Sequence, residues 1–383
     1  MKPRTRLIHP PGGTCPVTGA VSPPIHPATT FRQDAVDKNR GYDYSRTKNP
    51  TRDVLEAAIA DLEGGRAGFA FASGTAAITA CLAILKVGDH VVATEGLYGG
   101  TYRVLTGVFA KFGISATFAD TTDLKRLAAA FRPETRMLFL ETPSNPLLRV
   151  TDLAAAAKLA HDRNVLVAVD NTLMSPWLQK PLAHGADIVV HSATKSLGGH
   201  SDVLAGLVVT RDDALAKEIG FIQNATGGVL SPMDSWLLLR GMKTLGVRTE
   251  AAQESARRIA RWLAARPEVK AVYHPGLSGF PGADVHARQA AGPGALLSLE
   301  LREGWPAETF VRHLSLWTLA VSLGAVESLA CVPARMTHAT YDAAERARTG
   351  IADNLVRLAV GLEDPEDLIT DIETALEKAK IAP

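Results

Sequence analysis

The chain has 383 residues, 46% of them hydrophobic, and its 41 basic and 40 acidic side chains leave a net charge of +1. A chain of this length and apolar content can bury a full core and is long enough for two domains. The balanced charge argues against nucleic acid as a partner, and no apolar stretch is long enough to span a membrane. No apolar region follows the basic N-terminus, so we expect a cytoplasmic protein.

The first 50 residues have the character of an arm. They contain many prolines and little hydrophobic periodicity, and such a segment usually lies against another surface, for example that of a second subunit. A helix is predicted next, because Asn49 can cap it, Pro50 suits its first turn and Gly64 can end it. We therefore predict an N-terminal arm over residues 1–50.

Strands and helices alternate from this helix to about residue 210. The predicted strands are His90 to Thr94, Met137 to Glu141, Val165 to Asp170, Asp187 to Ser192 and Leu204 to Thr210. The helices predicted between them are Thr122 to Phe131 and Asp152 to Asp162. This alternation predicts an α/β fold, in which a large domain over residues 51–245 has a mostly parallel sheet covered by helices.

The order of elements changes in the C-terminal part. Residues 231–266 read as largely helical, with Gly241 and Gly246 as interruptions. The later predicted elements are a strand from Ala295 to Leu301, a helix beginning near Pro306 and a last helix from Asp364 to Lys380. This order predicts a smaller α+β domain over residues 246–383.

Three of the predicted strands lead into reactive side chains, which are Glu141, Asp170 and, after a short loop, Lys195. The carboxyl ends of parallel strands share one edge of the sheet, where open α/β sheets bind their ligands. A desolvated lysine can attack a carbonyl carbon, and a buried carboxylate needs a cationic partner such as a protonated pyridine. Each residue alone could equally be an ordinary loop or capping residue. Their convergence predicts a site for pyridoxal 5′-phosphate (PLP), which carries an aldehyde, a phosphate and a pyridine ring.

Other residues near this edge could contact the same ligand. Ser192 and Thr194 offer hydroxyl groups to a phosphate. Gly74 and Thr75 open a helix whose N–H groups could approach a phosphate, although an ordinary tight turn would look the same. Tyr98 follows a strand and could stack on a planar ring or simply pack.

Two arginines stand out for opposite reasons. Arg46 follows Tyr44 in the arm, where it could be solvated or could bind a phosphate through both of its terminal nitrogens. Arg357 lies in an apolar run and must pair with something, either a substrate carboxylate or a structural carboxylate. The spacing of the histidines does not suit a helical metal pair, so we expect no metal site.

With these motifs, the chain resembles the Cys/Met-metabolism family of PLP-dependent enzymes, which have the PLP-dependent transferase fold of type I. That family includes the cystathionine β- and γ-lyases, cystathionine γ-synthase and methionine γ-lyase. The resemblance extends from the arm to the last helix. The matching segments are Tyr44-Ser45-Arg46, Asn49-Pro50-Thr51, Ser73-Gly74, Tyr98-Gly99, Glu141 to Pro146, Asp170-Asn171-Thr172, Ser192 to Lys195, Gly199 to Asp202, Ser322-Leu323-Gly324, Glu327-Ser328-Leu329, Met336-Thr337-His338, and Arg357 with Val360-Gly361.

The resemblance implies a role for each candidate residue. Lys195 is expected to form the Schiff base and carry protons, Asp170 to pair with the pyridine nitrogen and Tyr98 to stack on the ring. The residues expected to hold the phosphate are Gly74, Thr75, Ser192, Thr194 and, from a neighbouring subunit, Tyr44 and Arg46. Those expected to hold the substrate carboxylate are Asn145, Ser322 and Arg357. The resemblance also implies a homotetramer of two dimers, with active sites at the dimer interface.

Two positions bear on the choice of reaction within this family. Many γ-lyases and γ-synthases have a glutamate where this chain has Val321, and methionine γ-lyases have a cysteine where it has Gly100. These differences favour β-elimination of L-cystathionine to homocysteine, pyruvate and ammonia. The alternatives are γ-elimination to cysteine, 2-oxobutyrate and ammonia, and the γ-replacement reactions of cystathionine γ-synthase and homoserine-ester sulfhydrylase. A regulatory PLP protein or a nucleotide-binding α/β protein also remains open.

Overall fold

The computed structural model describes residues 1–339 and 341–380, which form two sheets with helices packed on them. The strands of the first sheet are β1 Ala67–Phe71, β2 His90–Thr94, β3 Ser115–Ala119, β4 Thr135–Glu141, β5 Leu166–Asp170, β6 Ile188–Ser192 and β7 Gly206–Thr210. Their order across the sheet is β1-β7-β6-β5-β4-β2-β3.

Strands β2 to β6 run parallel to one another, and β7 and then β1 extend the sheet in antiparallel fashion. This confirms the predicted α/β fold with a mostly parallel sheet. The bounds of β2 are those predicted, and the other four predicted strands overlap β4 to β7. Strands β1 and β3, which lie at the two edges of the sheet, were not predicted.

Helices cover both faces of this sheet. They are α1 Pro3–Ile8 in the arm, α2 Pro50–Glu63, α3 Gly74–Leu82, α4 Gly99–Arg103, α5 Leu124–Ala130, α6 Leu153–His161, α7 Ser175–Leu178, α8 Asp213–Thr226 and α9 Pro232–Met242. Successive residues of the central strands point to opposite faces and are buried on both. Phe139, for example, packs with Ile78 of α3, while Leu138 packs with Ala156 of α6. Burial on both faces explains why these strands are nearly continuous apolar runs in the sequence.

Helix α2 begins and ends where its sequence predicts. The side chain of Asn49 accepts hydrogen bonds from the backbone N–H groups of Thr51 and Arg52, at 2.9 and 3.4 Å. Gly64 ends the helix with φ +76°, a left-handed conformation that favours glycine. The Asn49 amide also donates to the His26 carbonyl at 2.9 Å, so the same residue ties the arm to the helix.

The second sheet belongs to the C-terminal part of the chain. Its strands are β8 Val269–Tyr273, β9 Leu296–Leu301, β10 Thr318–Leu319, β11 Leu329–Cys331 and β12 Leu355–Ala359. They lie in the order β10-β11-β12-β9-β8. The helices of this part are α10 Leu245–Ala264, α11 Ala283–Gln289, α12 Ala307–Arg312, α13 Ala343–Thr349 and α14 Pro365–Ala379.

Helices α10 and α14 bury their apolar faces against the second sheet, in a core that includes Ile259, Leu299, Val356 and Ile372. The segment predicted as largely helical is two helices, α9 and α10, which are separated at residues 243–244. The predicted domain boundary near residue 245 therefore falls at the start of α10 and remains a prediction.

The arm contacts the rest of its own chain. Leu7 is buried in the core beside α2, and Thr30 pairs with Tyr44 in an isolated antiparallel bridge. Several other apolar side chains of the arm are largely exposed, with Val17 and Val36 exposing 90% and 88% of their surface. None of the helices in the described residues is long and apolar enough to cross a membrane.

Candidate active site

The carboxyl ends of β4, β5 and β6 meet at one edge of the first sheet. Glu141 and Asp170 are register partners on β4 and β5, and Asp170 pairs in turn with Val190 of β6. Lys195 lies in the loop that follows β6. The structure therefore brings together the three strand ends that the sequence analysis singled out.

These residues line a cavity of about 190 Å³ between the two sheets. Its wall includes residues of the first sheet and its loops, such as Asp170 and Lys195, and residues of the second part, such as Ser322 and Arg357. The predicted site residues that line it are Gly74, Thr75, Tyr98, Asn145, Asp170, Ser192, Thr194, Lys195, Ser322 and Arg357.

The Lys195 side chain is mostly buried and points to Ser322. Its Nζ donates a hydrogen bond to Ser322 Oγ at 2.8 Å. Burial lowers the pKa of Lys195 to about 8, and the nearby charge of Arg357 adds to this effect, while Asp170 opposes it. Roughly a tenth of this amine is therefore neutral at neutral pH, far more than for an ordinary lysine, and the neutral form is the one that attacks a carbonyl.

Asp170 is a buried carboxylate, 6% exposed, at the end of β5. Its Oδ1 accepts hydrogen bonds from Thr172 N at 3.0 Å and from Thr172 Oγ1 at 2.5 Å. Burial raises the pKa of Asp170 above its ordinary value, although these hydrogen bonds and the nearby His191 and Lys195 oppose the rise. A cation in the cavity would stabilise the ionised carboxylate.

The N-terminus of α3 and the β6 loop form a close-fitting corner of the cavity. A Cβ at Gly74 would lie 2.7 Å from Ser192 Cβ, so only glycine fits there without displacement. Ser192 and Thr194 place hydroxyl groups in the same wall. Thr194 Oγ1 also bonds the backbone of Ala205, accepting from its N–H at 3.0 Å and donating to its carbonyl at 3.2 Å. Small residues, hydroxyl groups and a helix N-terminus form a suitable phosphate site.

Tyr98 stands at the start of α4 with 41% of its surface exposed. Its backbone N–H donates to Glu141 Oε2 at 2.8 Å. The ring lies directly over Gly100, where a Cβ would come within 2.1 Å of Tyr98 Cε1. A side chain at position 100 would thus displace the ring from this position.

The buried side chain of Arg357, on β12, lines the same cavity. Its Nη1 donates to Asn145 Oδ1 at 3.2 Å and its Nη2 to the Ser322 carbonyl at 2.5 Å. Its Nε has no hydrogen-bond partner among the described residues. Burial lowers the pKa of Arg357 below its ordinary value. A guanidinium in the wall of a cavity suits a carboxylate ligand.

Ser322 has φ +92°, outside the regions that residues with a Cβ usually occupy. The same residue offers Oγ to Lys195 and its carbonyl to Arg357. Such backbone strain persists only where surrounding contacts hold it, and it concentrates at functional sites.

Tyr44 and Arg46 lie outside the cavity of their own chain. Tyr44 is 44% exposed, and the Arg46 guanidinium lies 5.3 Å from the centre of its ring. Arg46 Nε donates to Asn224 Oδ1 at 3.3 Å. Their expected contact with the phosphate of a neighbouring subunit remains a prediction.

Two residues of the cavity had no role in the sequence analysis. Thr172 donates to Asp170 and also accepts from Ser192 N at 2.8 Å, so it links the pyridine and phosphate ends of the predicted site. Its place two residues after a strand-terminal aspartate was the available signal. Glu141 was noted only as a strand end, and its two backbone partners could not be known without the fold.

The residues present fit PLP. The cavity combines a desolvated amine at Lys195, a buried carboxylate at Asp170 and an aromatic face at Tyr98. At Gly74 a side chain would clash with Ser192, and its absence lets the backbone come close to a phosphate. These are the groups that the aldehyde, pyridine nitrogen, ring and phosphate of PLP each require.

Residues 4–377 match the family model described as Cys/Met metabolism PLP-dependent enzyme. The chain is 51% identical to cystathionine gamma-lyase of Bacillus subtilis, over 98% of this chain and 100% of that one. It is 50% identical to cystathionine beta-lyase MetC of the same organism, over 99% of this chain and 97% of that one.

Solved structures lead to the same family. The fold matches cystathionine gamma synthase from Xanthomonas oryzae pv. oryzae, solved in complex with aminoacrylate and cysteine, with a TM-score of 0.96. The two chains are 43% identical, and the match covers 99% of this chain and 98% of that one. The chain belongs to the Cys/Met-metabolism family of PLP-dependent enzymes and is a carbon–sulfur lyase or synthase of that family.

Proposed function

We propose that this protein is a cystathionine β-lyase, which splits L-cystathionine with water into homocysteine, pyruvate and ammonia. The observation that carries this choice is Val321, an apolar side chain in the cavity wall, 56% exposed, where many γ-lyases and γ-synthases have a glutamate. Without that carboxylate the cavity offers no partner at this position for a far amino group. We also propose that the enzyme works in the cytoplasm as a homotetramer.

When bound, PLP supplies a ring that takes up the electron pair left on the substrate α-carbon. We assign Asp170 to the pyridine nitrogen, where its buried carboxylate favours the protonated ring. Tyr98 covers the ring face. Gly74, Thr75, Ser192 and Thr194 hold the phosphate, together with Tyr44 and Arg46 of a neighbouring subunit.

Lys195 is the proposed base that removes the α-proton of the substrate. It suits this role because burial lowers the pKa of its amine to about 8, so the neutral form is available at working pH. The 2.8 Å hydrogen bond to Ser322 Oγ holds Nζ at a defined place in the cavity. The same amine can then return a proton within the site.

Arg357 and Asn145 are the proposed binding groups for the substrate α-carboxylate. Their side chains already contact each other at 3.2 Å, and both residues line the cavity. A carboxylate held by these two residues would fix the α-carbon with respect to Lys195. Ser322 connects this pair with Lys195, because its Oγ accepts from Lys195 and its carbonyl accepts from Arg357.

A second candidate is γ-elimination, which yields cysteine, 2-oxobutyrate and ammonia. The observation that favours it is the 51% identity to a cystathionine gamma-lyase over nearly the whole chain. The proposed β- and γ-reactions use the same Lys195, Asp170 and Arg357, so the cavity described above accommodates either of them.

The deciding experiment is to identify the 2-oxo acid that the purified, PLP-loaded enzyme releases from L-cystathionine. Mostly pyruvate, with homocysteine, would support the proposal. Mostly 2-oxobutyrate, with cysteine, would overturn it in favour of γ-elimination. The Lys195→Ala variant is the control and is expected to release neither acid, whereas Lys158→Ala, on the exposed surface of α6, should behave as wild type.

A further inference from the structure

Glu141 is a buried carboxylate in the cavity wall, and the proposed reaction gives it no role. It is only 3% exposed, and among the described residues no lysine or arginine pairs with it. Burial raises the pKa of Glu141 to about 8, and the neighbouring Asp170 adds to the rise. Placing a second carboxyl beside Asp170 carries a free-energy cost, so a compensating function is expected.

Both oxygens of the Glu141 carboxyl accept hydrogen bonds from backbone N–H groups. Oε2 accepts from Tyr98 N at 2.8 Å, and Oε1 accepts from Asn145 N at 2.9 Å. These two donors belong to different loops, one after β2 and one after β4. One carboxyl group therefore connects the two loops at the edge of the cavity.

Each of the two connected loops carries a binding group. Tyr98 presents its ring to the cavity, and Asn145 accepts from Arg357 Nη1 at 3.2 Å. The contacts run without a gap from the aromatic ring through Glu141 and Asn145 to Arg357. The Glu141 side chain is thus a hydrogen-bonded link between the two ends.

We propose that Glu141 is a positioning residue that holds the Tyr98 ring and the Asn145–Arg357 pair in a fixed relation. It thereby aligns the bound substrate carboxylate with the cofactor ring. This inference rests on the proposed carboxylate-binding role of Asn145 and Arg357, and it holds for β- and γ-elimination alike.

The test compares two isosteric substitutions in the PLP-loaded enzyme, Glu141→Gln and Glu56→Gln. A glutamine at 141 would point its NH₂ group at one of the two backbone N–H donors, so one loop would be released. Glu56 is the control, since its mostly buried carboxyl also accepts a backbone N–H, from Ala70 at 2.8 Å, and it pairs in addition with Arg52. Burial raises the pKa of Glu56 to about 7, and the residue does not line the cavity.

For Glu141→Gln we expect a KM for cystathionine raised by up to about tenfold, the upper end of the loss expected for one hydrogen bond. The turnover number should change less. The visible circular dichroism of the bound cofactor should also change, because it reports how the ring is held. Glu56→Gln should leave both KM and dichroism at wild-type values, even if its melting temperature falls. The rate is measured as total 2-oxo acid, so the result does not depend on which acid forms.

Unchanged KM and dichroism in Glu141→Gln would overturn the proposal, and so would equal changes in the two variants.

A measurement on the wild-type holoenzyme covers the case in which Glu141→Gln does not fold. Propionate, a carboxylate without an amino group, should slow amide exchange both around Asn145 and around Tyr98. Slowing around Asn145 alone would contradict the proposed link. Failure of cystathionine as a substrate would overturn the proposed function but would leave the dichroism and exchange results to decide the role of Glu141.

Discussion

The charge state of Lys195 depends on its surroundings in the cavity. Its amine is mostly buried beside the guanidinium of Arg357, and both effects disfavour a positive charge. A lysine in water would be almost fully protonated at neutral pH, whereas the pKa of Lys195 is lowered to about 8. Reaction of this amine with an aldehyde requires the neutral form.

We predict from this pKa that the PLP-free protein takes up PLP faster as pH rises. The neutral fraction of Lys195 grows as the pH approaches about 8 and is nearly complete above it, so the rate should rise and then level off there. Stopped-flow absorbance after mixing with PLP measures this rate. A rate that keeps rising to about pH 10, the ordinary value for lysine, would show that the amine is not perturbed.

Val321 allows a direct test of what selects the reaction. We predict that Val321→Glu raises the ratio of 2-oxobutyrate to pyruvate from L-cystathionine by about two- to fivefold, the contribution of a partly exposed ion pair. The physical reason is that the new carboxylate can hold the far ammonium group of the substrate. Val321→Gln is the control, because glutamine is similar in size to glutamate but carries no charge. An unchanged ratio in Val321→Glu would mean that this position does not select between β- and γ-elimination.

Residues at strand ends could be predicted from the local pattern, and Asn145, Ser322 and Arg357 from the family resemblance, whereas the hydrogen bonds of Thr172 and Glu141 could not. Asp170 and Lys195 follow apolar runs, and parallel-sheet geometry alone places such residues together. Thr172 and Glu141 contribute through hydrogen bonds to other segments, at 2.8 Å to Ser192 N and to Tyr98 N. Those partners are set by strand register and loop path, which no local pattern encodes.

At the scale of elements, the parallel strands were predicted better than the antiparallel ones. Strands β4 to β6 are apolar on both faces, so their sequences differ clearly from the surrounding helices. The edge strand β1 contains Gly68 and two alanines, which favour strands only weakly. Strand β12 was recognised as an apolar run, but its place in a sheet depends on its antiparallel pairing with β9 and β11.

Helix α2 connects the arm to the sheet through its capping residue. We predict that Asn49→Ala lowers the free energy of unfolding by about 1–2 kcal/mol, because both the cap and the bond to the His26 carbonyl are lost. The arm around His26 should also become more sensitive to protease. Denaturant unfolding and limited proteolysis measure these two effects.

The control for this prediction is Asp123→Ala at the cap of α5. Asp123 accepts from the backbone of Lys125 and Arg126, as Asn49 does at α2, but its hydrogen bonds do not involve the arm. The Asp123→Ala variant should be less stable than the wild type, but its proteolysis near His26 should not change. Equal proteolysis of the two variants would show that Asn49 does not hold the arm.

At the scale of the whole molecule, the position of Arg46 outside its own cavity gives a test of assembly. We predict that Lys195→Ala and Arg46→Ala, each of low activity alone, recover activity when unfolded and refolded together. If Arg46 completes a neighbour's site, a mixed dimer has one intact site, and random pairing restores about a quarter of wild-type activity. The activity of the mixture, measured against each variant refolded alone, decides the outcome. No recovery in proven mixed dimers would place Arg46 in its own site or in none.

The cavity is assembled from segments that are far apart along the chain. Lys195 and its partner Ser322 are separated by 127 positions, and Asn145 and Arg357 by 212. Contacts of such long range form late in folding, because closing long loops costs entropy before any contact is gained. Chains that have completed only the first sheet would already hold Asp170 and Lys195, yet would lack the groups at the Arg357 end. In refolding, the dichroism of the bound cofactor should therefore reach its native value after the backbone dichroism does, so that the native cofactor dichroism marks the last step of maturation.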